Sequence, residues 1–210
     1  MKKCASGTIG AVCALCLSVV AGQATTLTFE GVVAPGNYVE PATPYTEGGF
    51  IFTSNTGPAD GIFNSVIPVN TNGTSVFGWS ANSQFGIVID LRAVSGATFS
   101  LSSLDAAFLD NPGLQQLMVQ GSFAGGGTVT QFLTLTSTWT TFALVGFTNL
   151  TNVDFSAVYV GDNVNTIVPD PGFDNINVAE TPLPAALPLF ATGLGALGLF
   201  GWRRKRRQLP

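Results

Sequence analysis

Between residues 26 and 178 apolar and polar positions alternate with a period of two, and no stretch sustains a helical period. Leu27 and Phe29 alternate with threonines, and Phe85, Ile87, Ile89 and Leu91 form the clearest run. Leu117, Val119 and Gly121 follow, then Val129, Gln131, Leu133 and Leu135, then Phe142, Leu144 and Gly146. Val153, Phe155, Ala157 and Tyr159 come next, and Phe173 to Val178 makes a last segment. Side chains two apart share one face of a strand, so these runs predict half-buried strands. Gly and Asn recur every 8 to 12 residues between them, which raises the expected number to nine or ten. Gly125-Gly126-Gly127 and Asn111-Pro112-Gly113 have the composition of hairpin turns. The expected fold is all-β, an antiparallel β-sandwich of jelly-roll type, in one domain over 25–178.

The two ends follow different patterns. Lys2 and Lys3 precede an apolar run from Ile9 to Ala21, followed by Gly22-Gln23-Ala24. A basic start, a short apolar core and a small-x-small site predict a secretory signal peptide over 1–24, cleaved after Ala24 by way of the Sec translocon. Cys13 and Cys16 raise the question of lipidation, but neither is preceded by the Leu-x-small pattern that lipoprotein signals carry. All three cysteines, Cys4 included, fall within 1–24, so the expected mature protein has no thiol and no disulfide. At the other end, residues 179–184 form a linker, and an uncharged stretch runs from Ala185 to Trp202. As a helix this stretch spans about 27 Å, enough to cross a bilayer core. Arg203, Arg204, Lys205, Arg206 and Arg207 follow at once, a cluster that stops transfer and holds 203–210 in the cytoplasm.

Charge is distributed accordingly. Seven of the eight basic residues lie at the ends, leaving Arg92 against twelve acids between Thr25 and Glu180, a net of −11. A domain so charged repels phosphates, which argues against nucleic acid as a partner.

Pro182-Leu183-Pro184-Ala185, the glycine-bearing apolar segment and the terminal basic cluster occur in fixed order. Together they resemble the PEP-CTERM sorting signal, in wording closest to its VPLPA-type branch, with Thr181 where that branch usually has Val. The resemblance covers residues 181 to 207 and implies recognition by an exosortase-type membrane protease in a Gram-negative bacterium that makes extracellular polysaccharide. A sortase signal would need Leu-Pro-x-Thr-Gly, and a GPI signal would end in its apolar tail.

Candidate chemistry within 25–178 is narrow. His, Cys and Lys are all missing there, which removes His-based acid–base catalysis, Ser–His–Asp triads, cysteine nucleophiles and Schiff-base lysines. Carboxylates remain, and a glycosidase needs two of them facing one cleft. Thr28-Phe29-Glu30-Gly31 near the start and Gly172-Phe173-Asp174-Asn175-Ile176 near the end stand out. The pairing resembles that of galactose-binding-like sandwiches and related carbohydrate-binding modules, in which such segments help to hold a structural calcium. On that resemblance Glu30 and Asp174 are candidate Ca²⁺ ligands, with hard oxygens the ion favours; the alternative is two ordinary strand-end acids. Trp79, in Gly78-Trp79-Ser80-Ala81-Asn82-Ser83, is a candidate loop platform for a sugar ring, while Trp139 between threonines reads as core.

The expected protein is thus exported and non-enzymatic. It is anchored in the inner membrane by its C-terminal helix until processed, then placed at the cell surface or in the extracellular matrix with envelope polysaccharide. A carbohydrate-binding adhesin module is the first alternative and a carboxylate-dependent glycan-active enzyme the second.

Overall fold

A computed structural model describes residues 24–40, 42–55, 60–64, 69–79, 87–110, 115–159, 170–181 and 193–195. The segments expected to form the signal peptide, the Pro182–Ala185 motif and the Arg203–Arg207 cluster lie outside these, as does the expected membrane helix but for one helical turn at 193–195. Among the described residues no helix is long and apolar enough to cross a membrane. The strands all fall in one compact unit, Ala21–Thr181.

Thirteen strands are present among the described residues: β1 (Ala24–Leu27), β2 (Asn37–Val39), β3 (Tyr45–Glu47), β4 (Phe50–Ser54), β5 (Asp60–Asn64), β6 (Ser75–Trp79) and β7 (Val88–Ala93) lead. Then come β8 (Phe99–Phe108), β9 (Gln115–Phe123), β10 (Thr128–Leu135), β11 (Thr140–Ala143), β12 (Leu150–Tyr159) and β13 (Pro171–Glu180). Every pairing is antiparallel. One layer runs β2-β5-β6-β13-β8-β11, with β1 beside β6 on the same edge of β13. The other runs β3-β4-β7-β12-β9-β10. A single pair, Leu150 with Phe99, links β12 to β8, so the sheet curls from one layer into the other.

Aromatic rings fill the space between. Phe173 of β13 stacks on Phe155 of β12 at 4.8 Å and on Phe77 of β6 at 5.4 Å. Phe77 in turn stacks on Phe52 of β4 at 5.4 Å, and Phe50 meets Phe99 edge-on at 5.2 Å. The contacts of Phe173 with Phe155, Phe77 with Phe52 and Phe50 with Phe99 join strands that do not pair with one another, so ring packing and apolar burial, rather than the ladder, hold the layers face to face.

Local sequence explains the turns. Gly48 and Gly49, both at positive φ, join β3 to β4 as a two-residue hairpin whose twist matches its strands. Gly126 and Gly127, also at positive φ, shape the longer connection from β9 to β10, where the Phe123 N–H donates to the Gly127 carbonyl and a glycine turn was expected. The second expected hairpin does not form. Residues 111–114 lie outside the described set, but they connect β8 to β9, which do not pair with one another. At the C-terminal end β13 runs on through Ala179 and Glu180, residues expected in the linker, and Thr181 still donates its N–H to the Thr98 carbonyl.

A candidate cation-binding junction

The first and last strands pair: Ala24 to Leu27 of β1 lie opposite Ala179 to Ile176 of β13. Just past this pairing both chains leave regular geometry. Phe29 takes φ +57°, a left-handed conformation that a bulky side chain rarely adopts. Its ring is fully buried against Tyr45, Phe52, Phe77 and Phe173. Glu47 fixes the backbone, accepting the Thr28 N–H at 3.0 Å on one carboxylate oxygen and the Phe29 N–H at 3.0 Å on the other. The Tyr45 hydroxyl donates to the same carboxylate, and its own ionisation is pushed up by burial first and by the charge of Glu47 second. With Phe29 anchored inward, the next residue, Glu30, emerges at the surface.

On the other side of the junction Asn175 sits at φ +48°, at an irregularity in the pairing of β13 with β8. The left-handed step lets Phe173 and Ile176, three apart, both reach the core, and it folds Asp174 under the surface at 1% exposure. The Asn175 side chain donates to Asp105 of β8 at 2.8 Å and so holds the irregularity open.

Glu30 lies near enough to Asp174 for its charge to act on that carboxyl. Asp174 accepts from the Asn72 side chain at 2.7 Å, the Thr74 hydroxyl at 3.2 Å and the Asn175 N–H at 2.7 Å. Glu30 accepts the Ser75 N–H at 3.2 Å. Burial pushes the Asp174 carboxyl up to about 6; the donors from Asn72, Asn175 and Thr74 pull it down, and the negative charge of Glu30 adds to the rise. Every group bonded to Asp174 here is neutral. Among the described residues no three acids gather as a metal cluster, so a cation here would take two carboxylates and complete its shell with amide, hydroxyl and carbonyl oxygens. Sequence reasoning missed Asn72 and Thr74, although Asn72-Gly73 before an apolar run is a turn signal, and Gly73 does adopt φ +94°.

Trp79 requires a correction. It is not a loop platform: it lies in β6, 2% exposed, with its ring edge-on to Phe173 at 5.8 Å. Trp139 is half-buried and packs with Leu109 against β6 and β13, over a cross-strand pair of glycines, Gly78 and Gly172. A side chain at either glycine would collide with Leu109.

A second carboxylate pair lies on the other layer. Asp154 of β12 is directly opposite Asp90 of β7 and hydrogen-bonded to it. Arg92 contacts Asp90 at 2.5 Å, and Asn152 donates to both acids. Burial, then the hydrogen bond and charge of Asp90, push Asp154 up to about 6. Asn152 bridges the two carboxyls and Arg92 engages Asp90, so both acids are already partnered within the sheet.

No family model matches the sequence, and no curated protein matches it. Several solved structures resemble it in shape. One is a family 29 carbohydrate-binding module complexed with mannohexaose, 11% identical over 78% of this chain and 94% of that one, with a TM-score of 0.43. Another, titled as carbohydrate binding module family 29, is 12% identical over 78% and 91%, with a TM-score of 0.41. A DUF4465 family protein from Bacteroides ovatus is 9% identical over 76% and 99%, with a TM-score of 0.46. At these identities and scores the likeness says nothing about ligand or activity.

The pair on β7 and β12 generates a pH prediction. A carboxyl whose folded pKa is raised binds its proton more tightly in the native state than in the unfolded chain. Its stabilising effect is full below the unfolded value near 3.9 and is lost as pH rises through about 6. In EDTA the melting temperature should therefore fall between about pH 4 and pH 7, and Asp154→Asn, which still donates to Asp90, should make that fall shallower. An unchanged slope in thermal melts of the variant would show that Asp154 does not titrate in this way.

Proposed function

We propose that this chain is an exported, non-enzymatic surface protein whose β-sandwich binds envelope polysaccharide and is closed by a calcium ion at the junction of its first and last strands. The observation that carries the reading is Asp174: a buried carboxylate beside a second acid, framed only by neutral donors, in a domain whose one base is engaged elsewhere. A buried carboxylate is costly unless a cation answers it. Arg92 lies against Asp90, so the domain supplies none of its own. The oxygens of Asp174, Glu30, Asn72 and Thr74 suit a hard ion, and Ca²⁺ accepts the irregular geometry of such a set better than Mg²⁺ does. Outside the cell, calcium is abundant enough for a modest site to fill.

Export and sorting belong to the same proposal. The N-terminal signal would pass the chain through the Sec translocon. The C-terminal helix would hold it in the inner membrane until an exosortase-type protease, reading Pro182-Leu183-Pro184-Ala185, transfers it to the surface or matrix. Polysaccharide is the partner that this route supplies.

Two measurements test this. Mass spectrometry of the protein from its native host should find a chain that starts at Thr25 and lacks Arg203 to Arg207; an intact tail in the presence of the protease would refute sorting. For the ion, calcium at a hundredfold excess over its dissociation constant should add about 2.7 kcal/mol, raising the melting temperature by about 5–10 °C. Magnesium should substitute poorly, and Asp174→Ala should abolish the response. Equal effects of both ions, surviving the mutation, would mean general screening of an acidic surface.

A further inference from the structure

The outer face of β10 and β9 carries an ordered arrangement that the cation junction does not explain. Phe132 points outward from the middle of β10 and is 52% exposed, opposite Met118 of β9. Two positions along in one direction, Gln120 donates to Thr130 at 3.0 Å. Two positions along in the other, Gln116 donates to Thr134 at 3.3 Å. Each of these is a directly opposed cross-strand pair, so an aromatic ring is framed on both sides by an amide–hydroxyl rung. At the strand rise the two rungs lie about 13 Å apart.

A single exposed apolar side chain is ordinary on any protein. Phe132 differs in its frame. The flanking amides are held in place by their threonine partners, which lowers the entropy lost when they meet a ligand. The combination has one natural complement: a pyranose laid with its C–H face on the ring, its in-plane hydroxyls reaching donors and acceptors at either end. The distance between rungs exceeds one sugar, so the complement is a chain rather than a monosaccharide. Its charge follows from the neighbours. Asp154 lies opposite Gln120 on β12 with Asp90 beyond it, and though Arg92 engages Asp90, it is the one base against twelve acids, a net of −11. Uronate or sulfated polymers are repelled by such a face, and an uncharged one is not.

We infer that the β10–β9 face is the polysaccharide-binding surface, with Phe132 as its stacking platform, and that it takes an uncharged pyranose polymer. The inference rests on the polysaccharide-binding reading above and adds to it a place and a ligand class. Tyr38 is the rival platform, 57% exposed and stacked on Phe63 at 6.0 Å. It stands on β2, a three-residue strand at the edge of the other layer. It lacks the paired amide rungs that frame Phe132.

The test is affinity electrophoresis of the full chain in neutral detergent, through gels containing hydroxyethylcellulose, galactomannan or the anionic polygalacturonate. The expected result is retardation by at least one neutral polymer and none by polygalacturonate. Phe132→Ala should weaken retention tenfold or more, Gln120→Ala several-fold, and Tyr38→Ala not at all. These are surface substitutions, and unchanged thermal melts would confirm that each variant is folded. Retention that survives Phe132→Ala but is lost in Tyr38→Ala would overturn the assignment of the face while leaving polysaccharide binding intact. Retention by polygalacturonate alone would overturn the ligand class. No retention by any of the three polymers would overturn both this inference and the reading it rests on.

Discussion

Phe29 is held in a backbone conformation that costs a side-chain-bearing residue about 1–3 kcal/mol, and much of the remaining structure depends on that constraint. Its ring touches four other aromatics, contributed by strands of both layers, so extracting it would open the centre of the core. The Glu47 carboxylate, delivered by the Gly48-Gly49 hairpin, takes up the two amide N–H groups that the reversal leaves without strand partners. The consequence is local and directional. With the ring fixed inward, the chain must turn outward at Glu30, beside the place where β13 makes its own left-handed step at Asn175. Two irregularities, each stabilised by a carboxylate that accepts hydrogen bonds, thus define one polar pocket between the two ends of the domain.

Electrostatics sets the conditions at this junction. Hydrogen bonds from Asn72, Thr74 and the Asn175 N–H lower the cost of burying Asp174, but burial still dominates and its carboxyl stays raised. The pair on the opposite layer meets the same problem by another route: Asn152 donates to both Asp154 and Asp90, and Arg92 lies against Asp90. The junction has no arginine to call on. On the proposed reading a cation from solution compensates its charge, and because it would bridge residues from both ends of the chain, its binding would be coupled to closing the domain.

The alternation of apolar positions made some strands legible and hid others, for a physical reason. Leu117 and Val119, Leu133 and Leu135, and Val153 and Phe155 sit in strands with one covered and one open face, where period two survives. β5 and β6 are buried on both faces, because Leu109, Trp139 and Phe63 form a second small cluster outside the first layer. No alternation remains there, and Trp79 consequently resembled a loop residue. β8 was hidden differently: Phe99 and Leu101 share the core phase, but the next core positions are Leu104 and Ala106, a shift that follows the irregular pairing with β13. At the junction Glu30 and Asp174 were singled out as acids of the first and last segments, which the pairing of β1 with β13 places at one end of the sheet. Asn72 and Thr74 were not, since their role depends on a long-range fold that places residue 72 beside residue 174.

The central claim is that an ion ties the two ends of the domain together, and amide hydrogen exchange measures that directly. Calcium should slow exchange selectively at residues 28–31, 72–75 and 174–176, leaving β9 and β10 unchanged, and Asp174→Ala should remove the protection. Protection spread evenly over all strands, or absent from those three segments, would contradict it.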